Sequence, residues 1–104
     1  MTDTRTEKQF IVPIEKILLA VIGRSNDSGY TPTLDLMKID GAKRGVSRYH
    51  ATINLHKDAL MITDHNSTNG TFIDGNRIVA GETQPIQNGD TIQLGTIRLK
   101  VSFT

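Results

Sequence analysis

The sequence predicts an all-β domain, built as a two-sheet antiparallel sandwich or a small barrel. Three observations point there. Apolar and polar residues alternate with a period of two in several short runs, strong turn signals separate those runs, and no stretch carries a 3.6-residue apolar repeat. The turn signals are Asn69-Gly70, Asp74-Gly75 and Asn88-Gly89-Asp90, with Gly81 and Pro85 marking looser connections. Short strands joined by such turns pair antiparallel and close into sandwiches or barrels.

Taken in order, residues 1–8 read as a polar tail and 9–104 as the folded domain. The run Ile17-Leu18-Leu19-Ala20-Val21-Ile22 does not alternate. It is short for a helix, and its β-branched members favour a strand covered on both faces. Residues 25–32, with Gly29 and Pro32, read as a loop, and residues 38–46 as a second one. Ala51, Ile53 and Leu55 then alternate with Thr52, Asn54 and His56. Shorter strand candidates follow at Leu60–Thr63, Thr71–Ile73 and Thr91–Leu94. The clearest strand comes last, where Ile97, Leu99, Val101 and Phe103 alternate with Arg98, Lys100, Ser102 and Thr104.

A chain of 104 residues suits one domain with one core. Hydrophobic residues at 37% and charged residues at 22% argue against disorder and against a membrane protein. The longest apolar run, Ile17–Ile22, is too short to cross a bilayer. Without cysteine there are no disulfides and no thiolate metal sites. No apolar segment follows Met1–Arg5, so no secretion signal is read and a cytoplasmic location is the default expectation. A net charge of +1 argues against a general polyanion binder, although Lys43, Arg44 and Arg48 cluster with no acid between them. Taken alone, that cluster is a solvated loop.

Three chemistries compete for the polar residues. Ser47, His50 and Asp58 or Asp64 could be drawn as a hydrolytic triad, but no Gly-x-Ser-x-Gly elbow exists and Ser-Arg-Tyr-His spacing fits proton transfer poorly. No catalytic activity is expected. Asp64-x-Asn66-x-Thr68-x-Gly70 has its glycine one place late for a calcium loop, and Gly75 stands where a bidentate Glu is required. Neither a metal nor a cofactor is expected. Phosphate binding fits better. Gly23-Arg24, Ser47-Arg48 and Thr68-Asn69 each stand at a strand–loop junction, and the loops of a sandwich gather at its ends. An arginine, two hydroxyls and an amide suit a tetrahedral dianion. Singly, Arg24 is a surface cation, Ser47 a cap, and Thr68-Asn69 a hairpin turn; it is their combined spacing that favours binding. Ser67–Phe72 has more hydroxyls than a turn needs, as if it also presents hydrogen bonds outward. His50 is expected to brace a loop.

These residues resemble the forkhead-associated (FHA) domain family. Its pattern stands here as Gly23-Arg24, Ser47-Arg48-Tyr49-His50, Ser67-Thr68-Asn69-Gly70-Thr71-Phe72 and Gly89-Asp90, in order across about residues 10–104. The resemblance implies a mostly antiparallel β-sandwich of about 10–11 short strands with essentially no helix. It implies a module that binds phosphothreonine peptides in partner proteins, reads the output of a Ser/Thr kinase, and needs no cofactor, nucleic acid or membrane. By position, Arg24, Ser47, Arg48 and Thr68 bind the phosphate and Asn69 holds the peptide main chain. Gly23, His50 and Gly70 fix the loops, while Lys43 and Arg44 are candidates for flanking-residue contacts. Two departures stand out. Gly45 occupies the place, two before the serine, where the family often has a basic residue. The first strand is missing, shortened or supplied by Arg5–Val12. A phosphorylation-independent scaffold and a nucleic-acid-binding β domain are the rival expectations, and Thr2, Thr4 and Thr6 are candidate phosphorylation sites for self-capture.

Overall fold

The computed structural model describes residues 1–7, 9, 19–26 and 28–102. Two five-stranded sheets pack face to face. The first runs in the order β1 (Thr2–Asp3), β10 (Ile97–Lys100), β9 (Thr91–Leu94), β6 (Thr71–Ile73), β7 (Asn76–Arg77). The second runs β3 (Leu34–Asp35), β2 (Ala20–Gly23), β4 (Tyr49–His56), β5 (Ala59–Asp64), β8 (Thr83–Ile86). All described pairings are antiparallel except β2 with β3. Among the described residues one 3-10 turn, Leu36–Ile39, runs into the start of the second predicted loop. Asp35 caps it by accepting from the Met37 N–H, which satisfies a donor that the turn cannot. Among the described residues no helix is long and apolar enough to cross a membrane.

Alternation explains the core. Ile53 and Ile62 pair across β4 and β5, Ile92 and Leu99 across β9 and β10, and Leu94 and Ile97 at the end of that hairpin. All six are essentially buried, together with Ile22 and Leu36. Burial of such side chains contributes about 1.5–3 kcal/mol each, the main force holding the sheets together.

The turns depart from the sequence reading in one respect. Asp74 and Gly75 both take positive φ and close a two-residue hairpin between β6 and β7. Asn69-Gly70 closes none, because β5 and β6 belong to different sheets and residues 65–70 cross between them. The expectation of a polar tail at residues 1–8 is corrected at its start. Thr2 and Asp3 pair with Lys100 and Leu99, and Asp3 is fully buried. Asp3 can enter because Arg44 neutralises it there. Phe103, half of Arg5–Val12 (Lys8, Phe10, Ile11 and Val12) and the first two residues of the Ile17–Ile22 run lie outside the described residues.

Candidate functional site

β2 ends at Gly23, with Arg24 immediately beyond it, and the glycine is obligatory. A Cβ on Gly23 would lie 1.8 Å from the Arg48 carbonyl oxygen. The β2–β4 register shifts at this point, and the Arg24 N–H donates to the same carbonyl at 3.2 Å. Close approach therefore delivers Arg24 against residues 46–48. Its Nε–H donates to the Val46 carbonyl at 2.7 Å, which aims the half-buried guanidinium. The terminal nitrogens are left as the part of the fork that a ligand can use.

Ser47 stands two residues before β4. Its N–H donates to His50 Nδ1 at 3.0 Å, and its Oγ accepts from the Thr68 N–H at 3.3 Å. His50 is fully buried. Because Nδ1 accepts, the ring proton sits on Nε2, which donates to the Gly70 carbonyl at 2.9 Å. Burial depresses the pKa of His50, against the upward pull of the Gly70 hydrogen bond and the Asp64 charge. A neutral imidazole thus ties the 47 loop to the 70 loop.

Asp64 organises the opposite side. Its buried carboxylate accepts from the Ser67 N–H at 3.2 Å, the Ser67 hydroxyl at 2.5 Å and the Thr71 hydroxyl at 2.6 Å. Burial would raise its pKa, but these hydrogen bonds outweigh burial and hold it below the ordinary carboxylate value. The two serine-loop hydroxyls that looked surplus in sequence are thereby divided. Ser67 is buried on Asp64, while Thr68 is exposed at the rim. Asn69 reaches across, donating from Nδ2 to the Gly45 carbonyl at 2.9 Å. Gly45 has φ +85°, and a Cβ there would stand 2.7 Å from Asn69 Nδ2.

Arg24, Ser47, Arg48, Thr68 and Asn69 are therefore linked on one rim through main-chain hydrogen bonds. The Arg48 side chain is exposed and borders a hollow of about 410 Å³ with Asn26, Tyr30, Ser47 and Tyr49. Lys43 is exposed. Arg44 is not available for flanking contacts. It is 8% exposed, and its guanidinium is paired with Asp3. Asp3, Asp35 and Asp64 are the site supports that sequence reasoning missed. Asp35 accepts from the Ser25 N–H at 2.9 Å and so fixes the backbone just after Arg24. The signal for Asp64 was present in its spacing, since a carboxylate three residues before a serine is a common loop brace.

Chemically, the rim offers guanidinium N–H groups and neutral hydroxyls, and among the described residues no carboxylate pairs with Arg24 or Arg48. Ser47 meets His50 through its N–H and not its hydroxyl, so no nucleophile–base pair is formed.

Comparison with known proteins agrees with this fold. Protein FraH of Nostoc sp. is 38% identical over 74 residues, covering 71% of this chain. The chain spans only 25% of FraH. An FHA domain structure from an analysis of phosphothreonine-dependent interactions superposes with a TM-score of 0.75 at 23% identity, covering 99% of this chain and 93% of that one. Mycobacterium tuberculosis EmbR, in complex with a low affinity phosphopeptide, gives a TM-score of 0.76 at 24% identity, over 97% of this chain and 23% of EmbR. The FHA domain model matches residues 20–95, a span that holds every strand of the rim, and the chain belongs to the FHA domain family.

Proposed function

We propose that the domain binds phosphothreonine peptides and so mediates phosphorylation-dependent protein–protein interaction downstream of a Ser/Thr kinase. The observation that carries this is the convergence of Arg24, Ser47 and Thr68, three groups from distant parts of the chain joined by the Arg24–Val46 and Thr68–Ser47 hydrogen bonds. A phosphate with about −1.5 to −2 charges matches a guanidinium fork flanked by neutral donors. Arg48 supplies a second cation at the edge, and Asn69, held by Gly45, faces the peptide main chain. Gly23, His50 and Gly70 keep the loops in place. The reading is of a binder without catalysis, acting in the cytoplasm where kinases find ATP. Lys43 is the remaining candidate for contacts beside the phosphothreonine. The rival nucleic-acid reading loses support because burial of Arg44 divides the basic cluster.

The test is a phosphopeptide library screen followed by titration of the best peptide. Binding on the order of micromolar, about −8 kcal/mol, is expected. Arg24→Ala should lose about 2–5 kcal/mol of that. Equal affinity for the phosphorylated and unphosphorylated peptide would favour a scaffold and defeat the proposal.

A further inference from the structure

Residues 44–47 act as the spine of the rim, and the spine is fastened from the N-terminus. We infer that Asp3, through its buried pairing with Arg44, is a positioning residue for the rim, so that the N-terminal strand sets the affinity of the site. This rests on the phosphothreonine-binding reading and deepens it.

The chain of contacts is continuous. Thr2–Asp3 forms the outer edge of the first sheet, outside the 20–95 span that matches the family model. Asp3 is 0% and Arg44 8% exposed. Arg44 Nη1 donates to Asp3 Oδ2 and Nη2 to Oδ1, both at 3.2 Å, a two-point pairing. Nη1 also reaches the Ile39 carbonyl at 3.3 Å. The Thr6 N–H and hydroxyl complete the shell on Asp3 Oδ2. The backbone of residue 44 is fixed as well. Its N–H donates to the Asp40 carbonyl, and its own carbonyl accepts from the Thr96 N–H at 2.7 Å and the Thr96 hydroxyl at 3.0 Å.

Each of the next three residues then holds one member of the rim. The Gly45 carbonyl holds Asn69, the Val46 carbonyl holds Arg24, and the Ser47 hydroxyl holds the Thr68 N–H. β1 is only two residues long, and beside its strand pairing and the Thr4 N–H bond to the Arg98 carbonyl the ion pair is its buried side-chain anchor. Losing the carboxylate would leave the guanidinium charged in a dry site, where it has no solvent to replace its partner. Arg44 would turn outward to water, and residues 45–47 would move with it. A binding constellation tolerates about 0.5 Å of such drift.

The test uses Asp3→Asn and the double variant Asp3→Leu/Arg44→Met in the 104-residue chain. Two readouts are needed: the NMR signals of Arg24 Nε–H and the Asn69 side-chain amide in the free domain, and titration with the phosphothreonine peptide. Asp3→Asn should shift both signals and weaken the peptide about tenfold. The apolar pair leaves no unpaired charge to turn outward, so it should keep its melting temperature and bind the peptide close to wild type. Unmoved signals with wild-type affinity in Asp3→Asn would overturn the inference. So would a folded double variant that binds as weakly as Asp3→Asn. Shifted signals in Asp3→Asn, together with a wild-type domain that ignores the phosphopeptide, would uphold the positioning role and refute the proposed ligand.

Discussion

Replacing Asp64 separates a carboxylate that supports the rim from one that merely sits near it. Oδ1 accepts the Ser67 and Thr71 hydroxyls, and Oδ2 accepts the Ser67 N–H. Hydrogen bonds to a charged group contribute about 1.5–3 kcal/mol each. They are not additive here, because hydroxyls rotate to other acceptors. Asp64→Ala should therefore lose about 3–5 kcal/mol, much of a stability typically about 5–15 kcal/mol. Asp64→Asn keeps a carbonyl for both hydroxyls and sets its NH₂ against the Ser67 N–H, so about 1–2 kcal/mol is expected. Urea unfolding followed by circular dichroism reads both values. A thermal scan should resolve them too, because about 1 kcal/mol moves the midpoint by roughly 4–8 °C in domains near this size. If asparagine proves as damaging as alanine, or if neither variant loses stability, the hydrogen-bond account of this loop is wrong.

His50 gives a pH prediction. Its pKa is depressed by burial, so the unfolded state takes up the proton first, and stability is full above the ordinary value of 6.5 and lost as pH falls below it. Asp3 and Asp64, also depressed, begin to cost stability only as pH falls below 3.8, so the two windows separate. A urea midpoint flat from pH 7 to 5, or one falling equally in His50→Asn, would contradict the neutral ring. Gly45→Ala should destabilise by about 1 kcal/mol, because its φ is positive, and should weaken the phosphopeptide severalfold by displacing Asn69. Calorimetric titration showing unchanged affinity would remove Asn69 from the site. The two adjacent cations should diverge in denaturation: Lys43→Ala within about 0.5 kcal/mol of wild type and Arg44→Ala about 3–5 kcal/mol below it.

The legible parts of the fold were those governed by local period and turn chemistry. Strands β5, β9 and β10 alternate cleanly because each has one face in the core, whereas β4 buries His50, Ala51, Thr52 and Ile53 in a row and leaves Leu55 exposed; Asp74-Gly75 announces its hairpin through its tolerance of positive φ. The Lys57-Asp58 turn between β4 and β5 also has positive φ at both residues, without glycine, and nothing local marks it. Leu34–Asp35 was hidden for a different reason. Two residues cannot show a period, and they pair in parallel with β2 only through tertiary contact. In the proposed site, Arg24, Ser47, Thr68 and Asn69 were readable only together, as polar groups at three strand–loop junctions whose combined spacing favoured binding. Asp3 and Arg44 were not, since a charged residue at an N-terminus and one in a basic loop each look solvated until the fold brings them together.

Phosphopeptide capture requires one rim that gathers donors from three loops around a phosphate. An NMR titration with a phosphothreonine peptide tests it residue by residue. The Ser47, Arg48, Thr68 and Asn69 amides and the Arg24 Nε–H should move together and saturate at one ligand concentration, with the unphosphorylated peptide causing no change. Perturbations that leave Arg24 and Ser47 still while moving the far ends of the sheets would contradict it.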